Sequence, residues 1–104
     1  MIQGISLRHL RFFMAVARAA SIRRAAEQLP TDASNLSRAI RELEYRLGDV
    51  ALFDRRRRPI RLTPAGSALA DRGRELEEHF VRAVQQMSRS RSDAGPNAAQ
   101  GRGR

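Results

Sequence analysis

The fold is decided by one stretch of this 104-residue chain, Ser21-Ile-Arg-Arg-Ala-Ala-Glu-Gln-Leu-Pro-Thr-Asp-Ala-Ser-Asn-Leu-Ser-Arg-Ala-Ile-Arg-Glu-Leu-Glu44. Ser21 can cap a short helix, and Pro30 ends that helix because the residue before a proline is pushed out of the α region. The apolar residues at helical spacing between them are Ile22, Ala25, Ala26 and Leu29. The two small alanines allow another helix to cross this one at close range.

A second helix begins directly after that break. Asp32 is its expected N-cap, with Thr31 as the alternative, and Gly48 is its expected stop. Its apolar stripe consists of Leu36, Ile40, Leu43 and Leu47. The charged residues expected off this stripe are Arg38, Arg41, Glu42, Glu44 and Arg46. Two helices joined by so short a break predict a helix-turn-helix, whose second helix enters the DNA major groove.

The flanking sequence adds a helix before this pair and a wing after it. Ser6 can cap an N-terminal helix whose apolar stripe, broadened by Phe13, consists of Leu7, Leu10, Met14 and Ala17. Residues 50–53 and 60–62 are typical of two short strands, with residues 54–59 as the turn between them. We therefore predict a mainly α fold, a winged helix-turn-helix with a three-helix core and a two-stranded wing.

A long last helix is predicted from Pro64 to about Met87. Thr63 can cap it, and Pro64 lies in its first turn, where no backbone N–H is needed. Alternating spacings of four and three give this helix an apolar seam formed by Leu69, Gly73, Leu76, Phe80, Ala83 and Met87. The seam is too short for a stand-alone coiled coil, so we expect it to form a dimer interface.

From Ser88 the composition changes to serine, arginine, glycine and other residues that cannot fill a core. This composition predicts a disordered basic tail, which either attracts phosphates or is inert. The predicted organisation is thus a DNA-binding domain over 1–63, a dimerisation helix over 64–87 and the tail over 88–104.

The charge balance favours a polyanionic partner. The formal net charge is +9, and all 20 basic residues are arginines. Nucleic acid is the first candidate and an anionic membrane surface the second. The absence of lysine is what a GC-rich genome produces, and no function is assigned to it. With no cysteine, disulfides and thiolate zinc sites are excluded. The apolar run over 12–17 is too short to span a bilayer and no signal peptide is evident, so we expect a cytoplasmic protein.

Candidate DNA contacts cluster at the start of the third helix and in the wing. Asn35 can pair bidentately with adenine, and Arg38 can contact guanine or a phosphate. Arginines 55–58 share one turn, from which one can enter a narrow minor groove while others touch phosphates. The ordinary alternatives are a solvated loop for these four, and simple charge balance with nearby glutamates for Arg38 and Arg41. The predicted DNA-binding residues are Ser21, Arg24, Ala33, Ser34, Asn35, Ser37, Arg38, Arg41, Arg55, Arg57, Arg58 and Arg61.

No constellation in the sequence supports catalysis. His9 and His79 lack ligand spacing around them, and Ser67 lacks the context of an activated nucleophile. The carboxylates of the last helix are typical of a solvated face; they are Asp71, Glu75, Glu77 and Glu78. We therefore predict no enzyme activity, no metal site and no cofactor.

At this point the sequence resembles the N-terminal winged helix-turn-helix of the LysR-type transcriptional regulators, over about residues 5–87. The residues that carry the resemblance are Leu7-Arg8-His9-Leu10-Arg11-Phe12-Phe13, Ala15-Val16, Ser21-Ile22, Ala25-Ala26 with Leu29, Leu36-Ser37-Arg38 with Ile40, Leu43-Glu44, Leu47-Gly48, Leu52-Phe53-Asp54-Arg55, Arg58-Pro59-Ile60-Arg61 and Leu62-Thr63-Pro64-Ala65-Gly66. The resemblance implies a DNA-binding domain whose long last helix pairs two subunits. It also implies that Ser37 and Arg38 meet DNA backbone or bases and that Arg58 enters the minor groove.

The sequence departs from the family pattern in three places. Asp32-Ala33-Ser34 stands where members usually have Ser-Gln-Pro, so the usual base preference does not carry over. The segment from Gly48 to Phe53 has one residue more than the usual spacing, which predicts a re-aimed wing. The chain also stops where the family normally continues into an effector-sensing domain, so no inducer site is predicted.

Three functions compete on these observations. The favoured one is a dimeric, sequence-specific DNA-binding regulator. The second is an interaction module that forms heterodimers with a full-length LysR-type regulator through the last helix. The third is non-specific coating of DNA or RNA, which rests on charge and the arginine-containing tail alone.

Overall fold

The computed structural model describes the backbone of residues 4–100 and the side chains of residues 4–91. The elements in chain order are α1 (Leu7–Ala19), α2 (Ile22–Glu27), α3 (Ala33–Arg46), β1 (Phe53–Asp54), β2 (Arg61–Leu62) and α4 (Pro64–Gln100). The predicted fold class is confirmed: the chain is mainly helical, with a two-stranded wing and a long last helix. It divides into two compact units, with the border between Arg74 and Glu75. The border predicted after Thr63 lies earlier in the chain than this one. The reason is that the start of α4 belongs to the first unit, in which Ala70 and Gly73 are buried.

Helix α1 begins with a reciprocal cap. The Ser6 side chain accepts a hydrogen bond from the backbone N–H of His9 at 3.3 Å, and His9 Nδ1 accepts one from the backbone N–H of Ser6 at 3.1 Å. The buried face begins at Leu10 and continues through Phe13 and Met14. Leu7 was expected on that face, but it is 42% exposed because the core contacts of α1 start one turn later.

Helix α1 ends on a left-handed alanine. Ala20 has φ 56° and ψ 27°, and its backbone N–H bonds to the carbonyl of Val16. A non-glycine residue in this conformation costs about 1 kcal/mol relative to glycine. We expect Ala20→Gly to raise the free energy of unfolding by up to about 1 kcal/mol in urea titrations, and Ala19→Gly, inside α1, to lower it. Equal destabilisation by both changes would contradict the left-handed cap.

The predicted caps of the helix-turn-helix are confirmed. The Ser21 side chain accepts from the backbone N–H of Arg24 at 3.1 Å, and Asp32 Oδ1 accepts from that of Asn35 at 2.7 Å. Side chains of both helices meet those of α1 in one apolar core. Its most completely buried members from α2 and α3 are Ala25, Leu36, Ile40 and Leu43. Leu47, the last residue of the predicted stripe, is only partly buried.

Two consecutive left-handed residues turn the chain after α3. Gly48 has φ 98° and Asp49 has φ 62°. The reversal allows the backbone N–H of Val50 to bond back to the carbonyl of Glu44 at 3.0 Å. The predicted stop at Gly48 is thus confirmed, and the residue that follows it continues the turn.

The wing is a short antiparallel pair in which Phe53 pairs with Leu62 and Asp54 with Arg61. The strands are shorter than predicted because the pairing goes only one hydrogen bond beyond Phe53 and Leu62, after which a backbone N–H bonds to α3 instead. The Leu52 carbonyl accepts from the backbone N–H of Thr63 at 3.0 Å, and the backbone N–H of Leu52 bonds to a side chain of α3. The Phe53 ring lies 5.3 Å from that of Phe13, centroid to centroid, which joins the wing to the helical core.

The start of α4 is held against the wing and α1. The Thr63 hydroxyl accepts from the backbone N–H of Gly66 at 3.0 Å and donates to the carbonyl of Ala51 at 2.6 Å, which confirms the predicted cap. At Gly66 a side chain would overlap the Leu52 carbonyl, and at Gly73 it would lie 2.9 Å from the sulfur of Met14. Both glycines therefore permit a close helix approach.

Helix α4 continues to Gln100, so its predicted end near Met87 is too early. Residues 88–100, which were expected to be an irregular tail, are helical in the structure. The rest of that predicted tail, residues 101–104, lies outside the described residues.

Candidate nucleic-acid interface

The outer face of α3 carries the exposed residues of the helix-turn-helix. Ser34, Arg38 and Arg41 follow one another at spacings of four and three, opposite the buried stripe. Together with α2 they border a shallow groove lined by Ile22, Arg23, Ala33, Ser34, Ser37, Arg38 and Arg41. Arginine guanidinium groups and serine hydroxyls at such a surface are donors of the kind that contact phosphates and base edges.

A second groove joins the helix-turn-helix to the wing. It is lined by Ala20, Ser21, Ile22, Arg23, Ser37, Arg41, Arg55, Arg58, Pro59 and Ile60. Ser37, Arg41 and Arg23 border both grooves, so the two are continuous. Residues of α3 and the wing that are some twenty positions apart in sequence thus lie on one side of the domain.

The arginines of the wing are in different environments. Arg56 is paired with Asp54, its Nε lying 3.0 Å from Oδ1. Arg58 Nη1 donates to the carbonyls of Arg55 at 3.1 Å and Arg57 at 3.3 Å, which holds its exposed guanidinium at the turn. Arg57 and Arg61 border a third depression on the wing itself.

Arg55 and Glu44 form the part of this region that the sequence did not indicate. Glu44 was expected off the buried stripe, but only 9% of it is exposed. Its carboxylate accepts from the backbone N–H of Leu52 at 2.8 Å and from two nitrogens of Arg55 at 3.2 and 3.3 Å. Arg55, which was predicted to contact DNA, borders the second groove, and its guanidinium also attaches the wing to α3.

The first turn of α3 holds a chain of polar side chains. Asp32 Oδ2 lies 3.4 Å from Asn35 Nδ2, and Asn35 Oδ1 accepts from Arg38 Nη2 at 2.9 Å. Asn35, which was predicted to read adenine, therefore has both its amide nitrogen and its amide oxygen bonded to neighbouring side chains, those of Asp32 and Arg38.

Two arginines of α2 differ from expectation. Arg24 was predicted to contact DNA but borders neither groove, whereas Arg23, which was not predicted, borders both. The helical wheel explains the exchange: Arg23 lies at the edge of the apolar face that packs on α3, and Arg24 lies opposite that face. The same helical wheel can be drawn from the sequence alone, and it indicates Arg23 as the arginine of α2 nearest to α3.

The pKa of Asp54 gives a pH-dependent test of the wing. Hydrogen bonds from the Arg56 side chain, then from its backbone N–H, lower that pKa from 3.8 to about 2. Because the folded pKa is depressed, this contribution to stability is present above about pH 4 and is lost as the pH falls through about 2. We expect a carboxyl-carbon NMR titration of Asp54 to have its midpoint near 2, and Arg56→Ala to move it towards 3.8. A midpoint near 3.8 in the unmodified chain would contradict the ion pair.

The second unit, from Glu75 onward, carries an exposed apolar stripe along α4. Leu76 is 54% exposed, Phe80 50%, Val84 45% and Met87 71%. These four residues recur at spacings of four, four and three, so they lie on one side of the helix. Of the predicted seam, Leu69 packs on the core of the first unit and Gly73 is buried there. The exposed part of the predicted seam therefore consists of Leu76, Phe80, Ala83 and Met87.

Neither a membrane-spanning helix nor a metal-binding cluster is found in the described part of the chain. None of the helices within residues 4–100 has the length and apolarity needed to cross a bilayer. Among the described side chains, no group of three His, Cys, Asp or Glu could hold a metal ion. His9 is part of the α1 cap, and its Nε2 lies 3.6 Å from Glu42.

Comparison with known proteins identifies the family. Residues 7–67 match the protein-family model for bacterial regulatory helix-turn-helix proteins of the lysR family. The uncharacterized HTH-type transcriptional regulator y4mQ of Sinorhizobium fredii is 42% identical over 92 residues, which cover 88% of this chain and 30% of that protein. The Hca operon transcriptional activator HcaR of Escherichia coli is 50% identical over 62 residues, which cover 60% of this chain and 21% of that protein. A solved complex of the BenM DNA-binding domain with benA site 1 DNA has a TM-score of 0.80 at 35% identity and covers 85% of this chain and 98% of that one.

The chain therefore belongs to the LysR family of bacterial helix-turn-helix regulators. It spans less than a third of the length of the two curated relatives named above. Both relatives are named as transcriptional regulators.

Proposed function

We propose that this chain is a sequence-specific DNA-binding regulator that acts as a homodimer. The observation that carries the proposal is the continuous polar surface on which Ser37 and Arg41 of α3 meet Arg58 of the wing. A helix presented beside a basic wing can enter the major groove while the wing reaches the neighbouring minor groove. Because bacterial chromosomal DNA lies in the cytoplasm, we expect the protein to act there.

The proposed contacts divide by chemistry. Arg38 and the short side chains Ala33 and Ser34 face the base edges, since they border the groove at the start of α3. Backbone phosphates are assigned to Ser21, Arg23, Ser37, Arg41, Arg57 and Arg61. Arg58 is assigned to the minor groove, where the potential is most negative. Arg55 is assigned to holding the wing, because Glu44 engages its guanidinium.

Two further observations support DNA binding and pairing. The solved complexes of similar domains, those of BenM and CbnR among them, contain DNA. The exposed stripe from Leu76 to Met87 is a contiguous apolar surface of the kind that marks a protein–protein contact. Two recognition helices related by a two-fold axis would then occupy successive major grooves of a pseudo-palindromic site.

The test is a titration of the full chain against duplexes selected from random sequence. A specific regulator should enrich a two-fold related motif and bind it with a steep salt dependence, each neutralised phosphate adding about −0.9 to the log–log slope. Equal affinity for selected and scrambled duplexes would leave only non-specific coating of nucleic acid.

We expect Arg58→Ala to weaken binding to the selected duplex by about tenfold, the loss typical of a charge-assisted contact. The magnitude of the salt slope should fall by about 0.9 for each phosphate that the arginine neutralises. Arg82→Ala is the matched control, because it removes the same charge from an exposed position on α4. An equal effect of both substitutions would indicate net charge alone and remove Arg58 from the interface.

The second candidate function is heterodimer formation with a full-length LysR-type regulator. The exposed apolar stripe on α4 favours it, because a related helix would cover that stripe equally well. Sedimentation of the purified chain distinguishes the two candidate functions. A stable homodimer supports the first, and a monomer that pairs only with a full-length family member supports the second.

A further inference from the structure

The first turn of α3 contains a relay of three side chains that ends at a guanidinium. Asp32 uses both carboxylate oxygens: Oδ1 accepts from the backbone N–H of Asn35 at 2.7 Å, and Oδ2 lies 3.4 Å from the Asn35 amide nitrogen. The Asn35 carbonyl oxygen in turn accepts from Arg38 Nη2 at 2.9 Å. The three residues follow at intervals of three, so the relay runs along one side of the helix.

The relay changes the role expected of Asn35. A bidentate pair with adenine needs the amide oxygen and the amide nitrogen together. In this chain the oxygen is bonded to Arg38 and the nitrogen to Asp32, and Asn35 does not border the groove at the start of α3. Asn35 is thus placed to orient another side chain.

The same contact leaves Arg38 able to bind. Its guanidinium has five N–H donors, of which the relay occupies one. Arg38 borders the groove beside Ser34 and Ser37, so the remaining donors are available there. A free arginine side chain loses rotamer entropy when it is fixed against a ligand, and a partner that holds it beforehand reduces that loss.

We propose that Asp32 and Asn35 are positioning residues that orient Arg38 to read a guanine in the major groove. Guanine is the base whose O6 and N7 acceptors match two parallel arginine donors. Asp32 is suited to this role because its two carboxylate oxygens lie toward different groups, one toward the backbone N–H of Asn35 and one toward its amide, whereas a serine cap has a single oxygen for both. The inference rests on the proposed function and names the base recognised by the start of α3.

The test uses the full chain and the selected duplex, with each guanine replaced in turn by 7-deazaguanine, which lacks the N7 acceptor but keeps Watson–Crick pairing. At one position in each half-site we expect the unmodified chain to lose about tenfold in affinity. Arg38→Ala should abolish this discrimination. Asn35→Ala, and Asp32→Ser, which keeps a cap, should reduce it to about twofold.

A merely structural role for the relay predicts a different pattern. If Asn35 only supports the helix, Asn35→Ala should weaken all duplexes alike and keep the tenfold preference for guanine, which would overturn the inference. Since Asn35→Ala removes no charge, the salt slope should stay unchanged while discrimination falls. Gln85→Ala, which removes an amide from the outer side of α4, should alter neither quantity. Failure to select any duplex would overturn the proposed function together with the inference, whereas selection of a site insensitive to 7-deazaguanine would overturn the inference alone.

Discussion

Replacing Glu44 by alanine is expected to lower the free energy of unfolding by about 3 kcal/mol. The Glu44 side chain is 12% exposed and serves two partners, the backbone N–H of Leu52 and the guanidinium of Arg55. Alanine would leave a buried N–H without an acceptor and a partly buried cation without its counter-ion. Removing one member of a buried pair commonly costs about 3–5 kcal/mol, and the 26% exposure of the Arg55 side chain places this case at the lower end.

Urea or thermal unfolding followed by circular dichroism measures this effect. For a domain of this size a loss of about 3 kcal/mol lowers Tm by about 10–20 °C. The matched control is Glu42→Ala, the same change two residues earlier on α3, where the carboxylate pairs with Arg46 at the surface and its side chain is 47% exposed. The Glu42→Ala variant should lose only a small fraction of the stability that Glu44→Ala loses. Equal losses in the two variants would mean that Glu44 does not attach the wing.

The Glu44 attachment also links stability to recognition. It fixes the end of α3 to residues 52 and 55, which flank strand β1. The buried carboxylate therefore helps to set the direction in which the wing leaves the domain, relative to the helix proposed to enter the major groove. We infer that folded Glu44→Ala molecules would bind DNA less tightly even at temperatures where they remain native.

Local sequence signals predicted the elements of the fold because caps and apolar periodicity act over a few residues. Ser6, Ser21, Asp32 and Thr63 each accept the backbone hydrogen bond that their position in the sequence indicates. Leu36, Ile40 and Leu43 of the predicted α3 stripe are likewise buried. These features need no knowledge of the rest of the chain.

The candidate site was less predictable because side-chain partners distant in sequence give no periodic signal. Glu44 and Arg55 are eleven positions apart and looked like surface charges, yet they form a part-buried pair. The direction of the Asn35 amide was also inaccessible, since it depends on which neighbour its two ends bond to. Helix α4 was predicted too short because the residues after Met87 cannot fill a core, a composition typical of disorder that does not prevent a helix.

Phe80→Arg is expected to weaken dimerisation by about 100-fold or more. Phe80 lies in the middle of the exposed stripe, one turn from Leu76 on one side and from Val84 on the other. Burying a phenylalanine against a partner contributes about 1.5–3 kcal/mol, and an arginine in its place would bring an unpaired charge into an apolar contact. Sedimentation equilibrium would show monomers at concentrations where the unmodified chain is dimeric.

DNA binding should fall with the dimer, because each recognition helix would then bind alone. Loss of the second, linked half-site typically lowers overall affinity by about 10²–10⁴. Gln85→Arg is the control: it places the same charge on α4, but on the side of the helix opposite Phe80, and should leave both the dimer and the affinity unchanged. A dimer that survives Phe80→Arg would show that the subunits pair through another surface. A monomer that keeps full affinity would instead show that DNA is bound by single domains.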